Sequence, residues 1–322
     1  MQVVNLLHRI VIIGAFAVMV TGCTGITGQY YLGMEKYGQG QKKFEQVIAE
    51  NPDDAMGYYY LGRMLLAQDK PEAALPHLKK AVQLAPQDDD YHFWLGINYW
   101  SVMDYKRERE EYLKAIELNS RATYAHLYLG HNYLDKREWK KALEHYTIVL
   151  KKNKYDPEAL YNSAVARHGL KDYKQEHKDL LKYLKYYPDG HIALKAVSGL
   201  NLLGDYSWRN FYIGKRKVSF LAVKFTKNTA KIKTDTTASL KLLGAMLKNS
   251  PELSVDVVVY VKGNTSLAKA RAIAVKKYIT TYVPDVEKKQ VITSWFGESE
   301  LVGAGKKSQL LSESVRFITH VK

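Results

Sequence analysis

The dipeptides Leu61-Gly62, Leu95-Gly96 and Leu129-Gly130 stand 34 residues apart, and this spacing constrains the chain more than any other feature. The same register reaches Gly28 upstream, and Ala164 and Ser198 downstream. Tyr31, Tyr99 and Tyr133 fall three residues after the small residue, Ala74 and Ala142 twelve after it, and Pro52, Pro86 and Pro188 twenty-four after it. Each unit reads as two amphipathic helices that approach closely at the small residues, with proline ending the second. One such unit cannot bury its own apolar stripe, so neighbours must stack and share a core. Most of the 25 tyrosines fall on these helical faces, which accounts for their abundance.

The pattern resembles the tetratricopeptide repeat, most closely in the units that begin near Ala55, Asp89 and Thr123. The unit from Pro157 departs from it, with Ala164 for glycine and Arg167 for the aromatic, and a helix from about His191 to Leu203 is expected to cap the stack. The resemblance implies a right-handed solenoid whose concave face is lined by set positions of each first helix. Carried over, these are Met56, Tyr59, Arg63 and Leu66; then Phe93, Ile97 and Trp100; then Tyr124, Leu127 and His131; then Tyr161, Val165 and His168. Such a lining, aromatic and apolar with a few polar tips, suits an extended or helical peptide of a partner protein.

The pattern stops near Asp205-Tyr206-Ser207-Trp208, and Gly214-Lys215-Arg216-Lys217 reads as part of a linker over 207–217. Beyond it, Val218 to Phe225, Glu252 to Val261, Gln290 to Phe296 and Val315 to Val321 read as strands; Thr237 to Leu247 and Ser266 to Tyr282 read as helices. The expected fold is therefore two domains: an all-α repeat solenoid over 23–206, then an α/β sandwich over 218–322 in the order β-α-β-α-β-β. Phe225 to Ile232, the stretch Asn264-Thr265-Ser266-Leu267-Ala268-Lys269-Ala270-Arg271-Ala272, and Phe296-Gly297-Glu298-Ser299 resemble, in order, segments of the OmpA-like peptidoglycan-binding domain. That resemblance implies that Asn264 opens a helix on which Arg271 grips the free carboxylate of a wall peptide. The family's aspartate after the second strand has no counterpart, since Val261-Lys262-Gly263 runs straight to Asn264, and Ser312-Glu313-Ser314-Val315 replaces its terminal arginine motif.

Cys23 is the sole cysteine, and it follows the apolar run Ile10 to Val20 and Thr21-Gly22. Eleven apolar residues at about 1.5 Å each fall short of a hydrocarbon core of roughly 30 Å, so residues 1–22 read as a secretory signal rather than a span. Val20-Thr21-Gly22-Cys23 resembles the lipobox of bacterial lipoproteins, which implies lipid on the Cys23 sulfur and a mature chain that begins there. Thr24, in place of the aspartate that retains such proteins in the inner membrane, favours the outer membrane. With no second cysteine, disulfides, thiolate metal sites and cysteine nucleophiles drop out. The net charge of +15 is uneven, because residues 201–322 hold 21 Lys/Arg against 9 Asp/Glu. That part should attract anionic envelope components, and export makes nucleic acid an unsuitable partner. No spacing of acids, histidines or nucleophiles suggests catalysis, a metal or a cofactor. The expected function is an outer-membrane lipoprotein scaffold that holds a partner of an envelope-spanning assembly, with a wall tether through Arg271 as the alternative.

Overall fold

The computed structural model describes residues 24–303 and 308–321; the signal segment 1–22 and Cys23 lie outside them. The chain divides into two compact units, one up to Lys154 and one from Tyr155. The first consists of antiparallel helices: α1 (24–33), α2 (Tyr37–Glu50), α3 (Ala55–Ala67), α4 (Pro71–Leu84), α5 (Asp89–Ser101), α6 (Tyr105–Leu118), α7 (Thr123–Asp135) and α8 (Trp139–Lys152). The 34-residue period is a packing contact. A Cβ on Gly62, Gly96 or Gly130 would stand 2.5 Å from Leu78, 2.4 Å from Tyr112 or 2.6 Å from Tyr146. All three partners are fully buried, so each glycine is the floor on which the second helix seats a large buried side chain.

A second periodic feature closes each pair. Glu35, Asp69, Met103 and Arg137 all have positive φ and lie 34 residues apart. Each follows a first helix and donates its N–H back into it, as Asp69 does to Leu66 while Lys70 donates to Leu65. These bonds satisfy carbonyls that the helix end leaves open, in the geometry that usually selects glycine. Helix starts are capped in turn by Asp54, Asp88 and Asp104, whose carboxylates accept backbone N–H groups.

The second unit begins with α9 (Pro157–Gly169), α10 (Tyr173–Tyr186) and α11 (Gly190–Leu202). The closing turn recurs at Lys171, and Ala164 replaces glycine on α9. There follow β1 (Trp208–Ile213), β2 (Arg216–Leu221), α12 (Ala238–Lys248), β3 (Leu253–Val261), α13 (Thr265–Tyr282), β4 (Val291–Phe296), β5 (Glu300–Val302), β6 (Gln309–Leu311) and β7 (Glu313–Val321). β3 is central, parallel to β4 and antiparallel to β7, with Val257 opposite both Thr293 and Phe317. Its side chains are buried on nearly both faces, as a covered central strand requires. Leu240, Leu243 and Leu247 of α12 and Ala268, Ala272, Val275 and Ile279 of α13 join that core.

Two expectations change. The stretch 207–217 is not a linker: it holds β1, which pairs with β2 across a two-residue turn at Gly214-Lys215, with Phe211 and Ile213 facing the core. The basic run therefore marks a hairpin turn, whose first residue takes positive φ. The order also gains the short hairpin β5–β6 between β4 and β7, and the strand expected at 218–225 ends at Leu221.

Gly96→Ala should lower stability by about 1–3 kcal/mol, because overpacking against Tyr112 outweighs the better helix propensity of alanine. Gly38→Ala, where a Cβ meets nothing within 4 Å, should leave stability equal or slightly higher. Urea unfolding of the two variants, measured side by side, checks the contrast.

Candidate functional site

The side chains expected to line a groove divide into three groups. Tyr59 on α3 and Phe93 on α5 are 4% and 6% exposed, so they pack beneath the surface instead of lining it. Tyr59 stacks on Tyr91 at 4.7 Å and donates to Asp90; Phe93 meets the edges of Tyr124 and Tyr128 at 4.6 and 5.3 Å. Burial raises the Tyr59 hydroxyl well above its ordinary pKa and also raises the Asp90 carboxyl, against the lowering effect of Tyr59 and Arg63. Both aromatics are displaced inward for one reason: the following repeat also carries large rings at the facing positions.

The second group is partly accessible. Arg63 donates to the Tyr59 hydroxyl at 2.9 Å and lies over the Trp94 ring at 4.0 Å, a half-buried cation on an aromatic face. Tyr124 donates to Asp89 at 2.5 Å. Ile97 and Leu127 are half-buried, and His131 sits against Tyr128 and Tyr146. Trp100, 53% exposed, is the ring most open to a partner in this unit.

The third group converges. Within the second unit, Tyr161, Val165 and His168 of α9 line one cavity of about 430 Å³ with Leu180 of α10 and Leu194, Lys195, Ser198 and Leu202 of α11. Lys217 of β2 stands at its margin. His168 pairs with Glu176 at 3.0 Å, and burial raises the Glu176 carboxyl, opposed by that histidine. The lining is mostly apolar, with the His168–Glu176 pair inside it and Lys195 and Lys217 beside it, which suits an apolar side chain followed by an acidic group.

Asn264 and Arg271 are not brought to one place. Asn264 caps α13, accepting the Leu267 N–H at 2.9 Å, and does not line the cavity beside Arg271. Arg271 is 1% exposed. Its Nε donates to the Thr229 carbonyl at 2.9 Å, its Nη1 pairs with Glu313 at 2.9 Å, and its plane lies 4.7 Å from the Phe225 ring centre. Nη2 is buried without a partner, beside a cavity of about 230 Å³ that Phe225, Lys233, Glu313 and Ser314 also line. Sequence reasoning missed Glu313 as the partner of Arg271.

It also missed a polar pair in the first unit. His126 and His145 meet Nδ1 to Nδ1 at 2.8 Å. Burial lowers both, and the neighbouring His126 helps take His145 to about 4. Among the described residues no three His, Cys, Asp or Glu side chains are grouped to hold a metal ion, and no helix is long and apolar enough to cross a membrane.

With this geometry in place, the comparisons fall on the helical part. The sequence model described as tetratricopeptide repeat matches residues 27–89 and 127–191. The chain carries tetratricopeptide repeats. Among solved structures, one of MamA is 20% identical, covers 58% of this chain and 94% of that one, and has a TM-score of 0.44. YrrB, titled a TPR protein with an unusual peptide-binding site, is 19% identical over 53% of this chain and 88% of its own, with a TM-score of 0.47. MamA of Desulfovibrio magneticus RS-1 is 22% identical over 47% and 83%, with a TM-score of 0.44. No curated protein matches the chain. Tetratricopeptide repeats are generally scaffolds that present extended concave surfaces to other proteins.

Two groups of the repeats, the half-buried His145 and the buried Glu108, titrate in opposite senses. His145, lowered to about 4, favours folding above its ordinary range near 6.5 and loses that contribution as pH falls through it. Glu108, buried on α6 and accepting from Asn132, is raised to about 7 by burial, so folding gains as pH falls from there towards 4.5. Relative to wild type, His145→Gln should therefore gain about 1–3 kcal/mol on acidification from pH 7 to 4.5, and Glu108→Gln should lose a similar amount. Urea midpoints across that range decide it.

Proposed function

We propose that this chain is a lipid-anchored scaffold of the outer membrane, facing the periplasm, whose repeats hold a segment of a partner protein from an envelope-spanning assembly. The observation that carries the partner reading is the convergence of Tyr161, Val165 and His168 on one apolar cavity with a basic margin. An acyl-carrying Cys23 would begin the mature chain immediately before Thr24, which is buried and bonds to Asp54 at 3.3 Å. The repeats then start at the lipid surface. Several acyl chains, at about 0.8 kcal/mol per buried methylene, suffice for stable attachment.

The variant Val165→Glu places a carboxylate on the cavity floor without touching a glycine contact. Crosslinking in whole cells followed by affinity purification should recover an envelope-assembly protein with the wild-type chain and lose most of it with this variant. Equal recovery with both would reject the groove. Separately, Cys23→Ser should abolish labelling by a palmitate analogue and release the chain from outer-membrane fractions. Persistent labelling would reject the anchor.

A second reading is favoured by the buried, unpartnered Nη2 of Arg271 beside its small cavity. A guanidinium can grip a carboxylate with two parallel bonds, as the free end of a wall peptide would offer. Glu313 now takes one of those places, so a ligand would have to displace it. Glu313→Gln should then strengthen co-sedimentation of the protein with isolated cell-wall sacculi, and Arg271→Lys should weaken it. Absence of co-sedimentation by wild type and Glu313→Gln alike would sink the tether.

A further inference from the structure

We infer that the second unit holds a strand-addition cleft, between β1 and β7, for an acidic extended segment of a partner protein. Among the described residues β1 has β2 as its one ladder partner and β7 has β3, and the two strands share no backbone ladder with each other. At one end a side chain stitches them by direct hydrogen bonds: Thr319 Oγ1 accepts the Gly214 N–H at 3.2 Å and donates to the Tyr212 carbonyl at 3.1 Å. Beyond the stitch opens a cavity of about 900 Å³. Its walls include Arg209 to Tyr212 of β1 and Arg316 to Thr319 of β7, four consecutive residues from each. A groove lying on a sheet face would be lined by every second residue, since successive side chains alternate. Consecutive lining means that the cleft meets both strands edge-on, where their backbone N–H and C=O groups lie. An unpaired edge is a ready template for another strand.

The chemistry of the lining selects the occupant. Its floor is Phe211 packed on Phe317 at 5.4 Å, and its rim carries the exposed side chains Tyr212, Leu301, Ile318 and Leu202. Among the described residues its charged members are Arg209, Lys217 and Arg316, with no carboxylate among them. Beneath lies Glu300, 2% exposed, which accepts two bonds of 2.8 Å from Arg209 and stands 3.8 Å from Arg316. Two guanidinium groups against one carboxylate leave a net positive charge there, and Lys217 adds a second. An extended segment with alternating apolar and acidic residues satisfies floor, edges and charge together. The site goes beyond the repeat groove and stands without it, although Leu202 and Lys217 border both cavities.

A random dodecapeptide phage library panned on the full chain tests this. Enriched sequences should carry two or more Asp or Glu interspersed with apolar residues. As synthetic peptides they should bind about tenfold more weakly to Arg316→Glu and to Ile318→Glu, both surface changes, and equally to Val165→Glu. N-methylation at alternate peptide amides should abolish binding, because strand addition needs those donors. Failure to enrich acidic sequences would overturn the inference. So would indifference to the Arg316 and Ile318 variants, or to N-methylation. Loss of binding with Val165→Glu alone would support the repeat groove and reject the cleft. Binding of phosphatidylglycerol vesicles that the Arg316→Glu variant abolishes, with no peptide bound, would assign the surface to lipid instead.

Discussion

Three successive helix pairs depend on a helix backbone being bare where a leucine or tyrosine from the next helix arrives. Gly62, Gly96 and Gly130 supply that bareness, and Leu78, Tyr112 and Tyr146 fill it. The contact fixes the distance within each pair, and repetition of that distance allows one unit to stack on the next. Polar bonds then recur at the same interval. Asn98 donates to the Pro71 carbonyl at 2.8 Å and Asn132 to the Tyr105 carbonyl at 3.0 Å, each reaching back to the preceding unit. A buried amide that finds its partner specifies register as well as adding stability, because misplacing it leaves a donor unpaired.

The period was legible because glycine alone lacks a Cβ and recurs at Gly62, Gly96 and Gly130; Ala164 on α9 continues the register with a weaker signal. The turns between paired helices were not legible, although they are just as regular. Their positive-φ position is held by Glu35, Asp69, Met103, Arg137 and Lys171, which share no chemistry. The residue there faces solvent and the closing bonds are entirely backbone, so nothing in the side chain records the geometry. The groove was legible in part. Helical position predicts where a side chain points but not what stands opposite, and Tyr91 and Tyr124 close over Tyr59 and Phe93. The abundance of tyrosine that marks these helices also removes Tyr59 and Phe93 from the surface.

In the second unit β3 was readable because its nearly two-sided burial leaves the apolar stretch Val257 to Val261. β1 was not, because its alternation ends in a glycine and three basic residues that carry the composition of a linker. Arg271 was located as a helix residue, but its environment depends on Glu313, a partner 42 residues away whose role only the antiparallel return of β7 reveals. Charge that looks available in sequence is thus partly spent inside the fold.

The clasp of Arg209 by Glu300 also has a temporal consequence. It joins positions 91 residues apart, and β3 cannot find β7 until Val321 has been reached, whereas each helix pair is complete within one repeat. Chain segments that satisfy themselves locally order early, and those that await distant partners order late. The helical pairs can therefore consolidate while β1 still presents an unmatched guanidinium and an open edge. During that interval the α/β part is the portion of the chain most in need of protection from wrong strand partners, and the concentration of lysine and arginine along it keeps like chains apart.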